Sequence, residues 1–226
     1  ATQLDLSSLG GQDVRFRFRI GTDPLYGDKG WFIDDIHVYT CSTLYDQTDS
    51  EGSGSLAHSQ QYEIPYAAYD SMAADDFVVP PGEAPWLIDG VFVNGSYLPS
   101  SGPAPFMNVE FLSDTAGLPG PAACTYTGLV AGIDFDESNA DGDFSIRLPS
   151  TCSLPAGTYW VMVQPDMDYF PLGRWFWKVR SVQSGSAFAW KNPGDAVFGN
   201  GCTNWTTASS CISGTLPDLL FSLWSE

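Results

Sequence analysis

The sequence predicts an all-β protein, an antiparallel β-sandwich of jelly-roll type. Short aromatic and β-branched runs recur along the chain, separated by clusters of Gly, Pro, Asp and Ser. The 226 residues include 23 Gly and 16 Pro, which favour frequent turns. No segment carries an amphipathic helical pattern long enough for a main helix. The chain is also long enough to bury a substantial core.

Residues 73–93 contain the clearest strand signal. Phe77 and Val79 occupy alternate positions after Asp75-Asp76, and a second apolar run follows the break at Pro80-Pro81-Gly82. The pattern predicts two strands that open an antiparallel sheet. In a strand, consecutive side chains face opposite ways, so one of the two aspartates must point inward or toward a strand end.

The rest of the chain repeats this pattern, with predicted inserts at 96–105 and 192–214 at the ends of the sandwich. Nine short strands at this spacing indicate a β-sandwich of jelly-roll type. The predicted strands are Asp76–Val79, Trp86–Val93, Met107–Ser113, Thr125–Val130, Asp143–Leu148, Gly157–Gln164, Trp175–Val182, Ala187–Lys191 and Leu219–Trp224.

The first 44 residues form a separate segment in this prediction. The runs DLSSLGGQDVRFRFRIGTD and GWFIDDIHVYTC resemble the last third of a MAM-type jelly roll. The resemblance implies a C-terminal fragment of such a domain, completed by an upstream chain. Residues 45–71 are polar and include a Gly/Ser tract, which predicts a linker.

Residues 72–226 resemble non-catalytic β-sandwich modules that occur near the C-termini of secreted bacterial proteins, including peptidases. Four short motifs carry this resemblance: Ala74-Asp75-Asp76-Phe77, Trp86-Leu87-Ile88-Asp89, Leu154-Pro155-Ala156-Gly157-Thr158-Tyr159-Trp160 and Asp218-Leu219-Leu220-Phe221. It implies an accessory sandwich domain at 72–226.

The five cysteines favour disulfides over a metal site, because none lies in a C-x-x-C pair or near a histidine at zinc-ligand spacing. We predict Cys202–Cys211, which closes a short loop, and Cys124–Cys152, which joins the flanks of an acidic loop. Cys41 is left over, and its partner is expected outside this chain. Disulfides indicate an oxidising compartment, so we expect a secreted, extracellular protein.

The net charge of −18 limits the partners of this protein. An acidic surface repels phosphate backbones and anionic lipids, so nucleic-acid and membrane-surface binding are disfavoured. No apolar run approaches the roughly 20 residues that span a bilayer, which predicts no membrane insertion. The acidity suits either a solubilising surface or the binding of divalent cations.

Two kinds of acidic segment are candidate calcium sites. The loop 134–143 concentrates oxygen donors that a structural calcium ion prefers, although an Asp-Gly hairpin turn explains the same residues. The paired aspartates place a carboxylate inward, where it needs either a cation or backbone N–H donors. The candidate ligands are Asp34, Asp35, Asp75, Asp76, Asp134, Asp136, Asn139, Asp141 and Asp143.

Aromatic residues outside the predicted core are candidates for carbohydrate binding, because rings exposed on a rigid sandwich can stack on sugars. Tyr169 and Phe170 lie in a Pro/Asp/Gly loop, Trp205 lies in the predicted disulfide loop, and Trp175 lies on a strand. Core packing is the alternative for each tryptophan.

The sequence shows no recognisable catalytic centre. The two histidines, His37 and His58, lie outside the predicted sandwich, so a nucleophile there lacks a local base. We therefore predict a non-catalytic accessory region of a secreted bacterial enzyme, with a peptidase as the expected parent. Its expected partner is an extracellular protein or polysaccharide. The alternatives are a stand-alone carbohydrate-binding or adhesive module and a glycoside hydrolase that uses two carboxylates.

Overall fold

The computed structural model describes residues 42–99, 102–137 and 141–226, without the side chains of 54–56. Strands predominate over helices in these ranges. The strands are β1 (Ser42–Asp46), β2 (Glu51–His58), β3 (Met72–Val79), β4 (Trp86–Val93), β5 (Gly95–Leu98), β6 (Phe106–Asp114), β7 (Pro119–Val130), β8 (Phe135–Glu137), β9 (Phe144–Leu154), β10 (Gly157–Asp166), β11 (Arg174–Arg180), β12 (Ala189–Lys191), β13 (Thr206–Thr207), β14 (Asp218–Leu219) and β15 (Phe221–Ser225). Short helical turns are α1 (Tyr169–Leu172) and the 3-10 turns Ile64–Tyr69 and Ala208–Ser210.

The strands form antiparallel sheets that pack as a sandwich, which confirms the predicted fold class. One sheet has the order β1-β15-β4-β9-β8, and a second has the order β13-β12-β3-β10-β6-β7. A third, smaller sheet has the order β14-β11-β2, and β5 also pairs with β11. The described residues of 42–226 belong to one compact unit.

The core lies between the sheets because apolar side chains alternate along their strands. Phe77 of β3 stacks on Trp86 of β4 at 6.2 Å between ring centroids, and it also contacts Phe221 of β15. These contacts join the six-stranded sheet to the five-stranded sheet. The outer face of β10 is buried too, since Trp160 and Met162 pack beneath residues that include Trp205.

All nine predicted strands lie in or overlap strands of the structure, and the bounds Trp86–Val93 are those of β4. The predicted pairing of the first two strands is wrong. β3 is hydrogen-bonded to β10 and β12, whereas β4 is hydrogen-bonded to β9 and β15. Two successive prolines between them cannot donate backbone hydrogen bonds, and the chain crosses from one sheet to the other there.

The prediction of a linker at 45–71 is also wrong, because this segment supplies strands to two sheets. β1 pairs with β15, and β2 pairs with β11. Its polar composition misled the prediction, since Gln47, Ser59 and Gln60 are buried and hydrogen-bonded. Residues 1–41 lie outside the described residues, so the MAM-like fragment stays a prediction.

Both predicted disulfides are present. Cys124–Cys152 joins β7 of the six-stranded sheet to β9 of the five-stranded sheet, and Cys202–Cys211 closes the loop that contains Trp205. A bridge between two sheets restricts the unfolded chain and stabilises the sandwich, typically by about 2–4 kcal/mol. Cys41 lies outside the described residues.

Candidate functional site

Five large apolar side chains are exposed on two neighbouring segments, and we call them the aromatic patch. Their exposed fractions are 92% for Ile64, 42% for Tyr66, 45% for Tyr69, 37% for Tyr169 and 82% for Phe170. Large exposed apolar side chains are ordinary when scattered, but a contiguous group indicates a binding surface.

The aromatic patch is assembled from the 3-10 turn Ile64–Tyr69 and from α1, about 100 residues apart in sequence. The ring of Tyr66 lies 5.7 Å from that of Tyr169 and 6.4 Å from that of Tyr69. The backbone N–H of Tyr169 donates to Oε2 of Glu63 at 2.8 Å. This contact joins the two segments that carry Ile64 and Phe170. The rings are tilted against one another by 54–59°, so they form an uneven surface rather than a flat platform.

Buried hydrogen bonds hold the residues that flank the 3-10 turn Ile64–Tyr69. The ring of His58 is hydrogen-bonded to the hydroxyl of Tyr62 at 2.7 Å and to that of Ser71 at 2.6 Å. Tyr62 in turn contacts the edge of Tyr169. Burial, together with the nearby Arg174, lowers the pKa of His58 to about 3, so its ring is neutral at physiological pH. His58 is therefore a structural support for the patch rather than a general base.

Gln60 fixes the segment that carries Tyr169 and Phe170. Its Nε2 donates to the carbonyls of Met167 at 3.0 Å and Gly173 at 3.3 Å. Its Oε1 accepts from the backbone N–H of Trp175 at 2.7 Å. One buried amide thus holds both ends of α1, and a rigid base of this kind reduces the ordering cost of binding.

Carboxylates surround the aromatic patch. Glu63, Asp70, Asp166 and Asp168 all lie within three residues of its rings in the sequence, and Asp168 is exposed. Burial raises the pKa of Asp70, and so does the nearby Asp166. Burial also raises the pKa of Asp166, with a further contribution from Asp168. Both shifts favour the neutral form of the carboxyl groups of Asp70 and Asp166.

Two of the four aromatic residues proposed from the sequence belong to the patch, Tyr169 and Phe170. Trp175 does not, because it is fully buried and its Nε1 donates to the carbonyl of Gly142. Trp205 is partly buried beneath Lys191, whose Nζ lies 4.4 Å from the ring centroid. The prediction missed Ile64, Tyr66 and Tyr69, since their segment was taken as linker. Alternating Ile and Tyr around Pro65 was the signal that could have located them.

The paired aspartates of β3 are both buried. One aspartate of the pair was predicted to point inward, and it is Asp75, which shares the inward face with Phe77. Its Oδ2 accepts from Nε2 of Gln47 and from the backbone N–H of Leu219, both at 2.7 Å. Asp76 faces the other way and accepts from the backbone N–H of Ser186. Backbone and amide donors thus hold both carboxylates, which was one of the two predicted arrangements.

A third buried carboxylate, that of Asp218, lies near these two. Its Oδ2 accepts from the N–H of Ser184 and lies 3.7 Å from Nη1 of Arg180, while its Oδ1 has no hydrogen-bond partner among the described residues. Burial raises the pKa of Asp218 to about 6. Burial raises the pKa of Asp75 well above its ordinary value, and Asp218 adds to the shift.

Hydrogen bonds to backbone N–H groups hold the two ends of the acidic loop, Asp134 and Asp143. Oδ2 of Asp134 accepts from the N–H of Val130 at 2.8 Å, and Oδ1 of Asp143 accepts from the N–H of Gly95 at 2.8 Å. Asp136 lies in β8, and the carbonyl of Asp141 accepts from the N–H of Tyr97.

No three Asp, Glu, His or Cys side chains gather to hold a metal ion in 42–99, 102–137 and 141–226. Three of the proposed calcium ligands, Asn139, Asp34 and Asp35, lie outside those residues. Calcium binding by this chain therefore stays a prediction.

A polar hollow of about 330 Å³ contains the carboxylates of Asp89, Asp134 and Glu226. Asp89 accepts from the hydroxyl of Thr151 and from the N–H of Glu226. Glu226 forms an ion pair with Arg147 at 2.6 Å. These acids already serve as structural acceptors, which makes the hollow a weaker candidate site than the aromatic patch.

Comparisons with known protein families, curated proteins and solved structures give no match to this chain. Among the described residues, no helix is long and apolar enough to cross a membrane. Function must therefore be argued from the site.

Proposed function

We propose that this chain is a non-catalytic binding region of a secreted protein and that its aromatic patch holds a polysaccharide. The observation that carries the proposal is the convergence of exposed Tyr66, Tyr69 and Tyr169 from two distant segments onto one supported surface. In this role the chain serves as an accessory region that keeps a larger secreted enzyme at its substrate.

The chemistry of the patch suits sugars. A tyrosine ring offers an apolar face to the C–H groups of a pyranose while its hydroxyl remains in water. The surrounding carboxylates can accept hydrogen bonds from sugar hydroxyls. Burial of Gln60 and His58 beneath the rings holds the patch ready for a ligand.

The remaining features support an extracellular setting. Two disulfides are typical of proteins that fold in an oxidising compartment. The charge of −18 disfavours nucleic acids and anionic lipids as ligands of this surface.

The test is retention on a panel of insoluble and soluble polysaccharides, measured by pull-down and affinity electrophoresis. Tyr66→Ala and Tyr169→Ala should each weaken retention at least about tenfold, the loss expected when one central aromatic contact worth about 1.4 kcal/mol is removed. Leu87→Ala is the matched control, since Leu87 is 51% exposed on β4 and lies outside the patch.

Circular dichroism and thermal unfolding of each variant establish that the fold is retained. Retention that is equal in the wild-type protein, the two tyrosine variants and the control would show that the patch does not bind these polysaccharides.

A further inference from the structure

Four carboxylates lie near the aromatic patch in the sequence, and one basic side chain, that of Arg174, contacts a ring of the patch. Among the described residues, none of the four acids Glu63, Asp70, Asp166 and Asp168 forms an ion pair within 4.0 Å. Burial raises the pKa of Asp70 and of Asp166, and a nearby carboxylate adds to each shift.

Four of the five basic side chains in 42–226 contact residues outside the aromatic patch. Residues 42–226 contain five Lys and Arg side chains. Arg147 pairs with Glu226, Arg180 with Asp49 and Asp218, and Lys178 with Glu51 and Asp143, while Lys191 lies over Trp205.

The fifth basic residue, Arg174, contacts a ring of the aromatic patch and forms no ion pair with the carboxylates beside it among the described residues. Its guanidinium lies 6.0 Å from the ring centroid of Tyr169 and 5.8 Å from that of Phe176. This side chain shows that the rings already accept a cation against their faces, an arrangement that is favourable for tyrosine. In the part of the chain that the structure describes, the acids beside the rings form no ion pair with a Lys or Arg side chain.

We propose that the aromatic patch selects polysaccharides that carry free amino groups, as in a polymer of glucosamine. The inference rests on the proposed function and adds the class of sugar. The pyranose C–H faces lie on Tyr66 and Tyr169, and the ammonium groups lie beside Asp166 and Asp168. Uronate or sulfate groups are repelled by the same carboxylates, so anionic polysaccharides are excluded.

The experiment compares two hexasaccharides of equal length, the hexamer of glucosamine and the hexamer of N-acetylglucosamine, by isothermal titration calorimetry at pH 5.5. Acetylation removes the positive charge and keeps the ring. We expect the amine-bearing hexamer to bind at least about fivefold more tightly, because each exposed ion pair contributes up to about a fivefold gain.

The effect on binding of the carboxylates at the patch must be distinguished from the effect of the protein's net negative charge. Asp168→Asn should weaken binding of the amine-bearing hexamer about two- to fivefold and leave the acetylated hexamer unchanged. Glu83→Gln removes the same charge in the turn between β3 and β4, which is exposed. Asp166 is at the opposite end of the β3–β10 pair from that turn, since Gly157 pairs with Val79 and Met162 with Ala74. We expect no change for Glu83→Gln.

Tyr66→Ala keeps the net charge and should reduce binding of both hexamers. Equal affinity for the two hexamers, or equal effects of Asp168→Asn and Glu83→Gln, would overturn the amine selectivity and leave polysaccharide binding intact. If neither hexamer binds and the wider polysaccharide panel is also negative, the selectivity and the proposed function both fail.

Discussion

Two groups of aspartates in this sandwich differ in how their charge is balanced. Asp75, Asp76 and Asp218 are buried, and hydrogen bonds from backbone N–H groups hold each of them. Asp70, Asp166 and Asp168 lie beside the aromatic patch, where water reaches them and no Lys or Arg of the described residues pairs with them. Asp70 and Asp166 also accept hydrogen bonds, from the N–H of Tyr62 and from Nε2 of Gln61, so the difference between the groups is their access to water. The same side chain serves stability where it is fully buried among donors and can serve recognition where part of it reaches water.

The largest expected effect on stability comes from replacing Asp75, whose side chain is fully buried. Asp75→Ala leaves the amide of Gln47 and the N–H of Leu219 without their acceptor, and we expect a loss of about 3–5 kcal/mol in the free energy of unfolding. Urea denaturation measures it. Asp75→Asn keeps one acceptor oxygen and should cost less, while a loss below about 1 kcal/mol for the alanine variant would contradict the structural role.

A smaller effect is expected at the buried amide beneath the patch. Gln60→Ala removes the acceptor of the buried N–H of Trp175 and the donors to two carbonyls, and it should cost about 2–3 kcal/mol. It should also weaken polysaccharide retention, although every ring of the patch remains. A variant that loses stability and retains full binding would show that α1 does not need this support.

The third prediction concerns the pH dependence of stability. The folded-state pKa of Asp218 is raised to about 6 from an ordinary 3.8, so the folded state binds the proton more tightly than the unfolded state. This contribution is complete below pH 3.8 and is lost as the pH rises through about 6. The cause is burial, and it outweighs the attraction of Arg180.

Asp218→Asn should reduce the loss of stability that occurs between pH 4 and pH 7. The expected reduction in that loss is roughly 1–3 kcal/mol of unfolding free energy at neutral pH. Denaturation at several pH values measures the slope. Asp168→Asn is the matched control from the exposed group and should leave the slope unchanged. The comparison between the two groups breaks down if both substitutions alter the slope equally.

Local pattern predicted much of the fold. Alternation in 86–93 gave the bounds of β4, because one face of that strand meets the core and the other meets solvent. Both disulfides followed from cysteine spacing. The pairing between strands could not be predicted from local pattern. Phe77 and Trp86 lie on successive strands, β3 and β4, yet these strands belong to different sheets.

The candidate site was only half predictable. Tyr169 and Phe170 stood out in a loop, but Tyr66 and Tyr69 lay in a segment whose polar residues resembled a linker. Those polar residues are buried and form hydrogen bonds with partners about 100 residues away, such as Gln60 with Met167 and Gly173. No local pattern contains that information.

By itself the sequence determined the all-β class, the positions of nine predicted strands, the two disulfides and the expectation that one aspartate of the Asp75-Asp76 pair points inward. These depend on alternation, turn residues and spacing, which are local properties of the chain. The tertiary structure alone decided which strands pair, that Trp175 belongs to the core, and that Tyr66 and Tyr169 meet on one surface. Such contacts join residues far apart in the chain, and they form only when long-range packing brings the two sheets together.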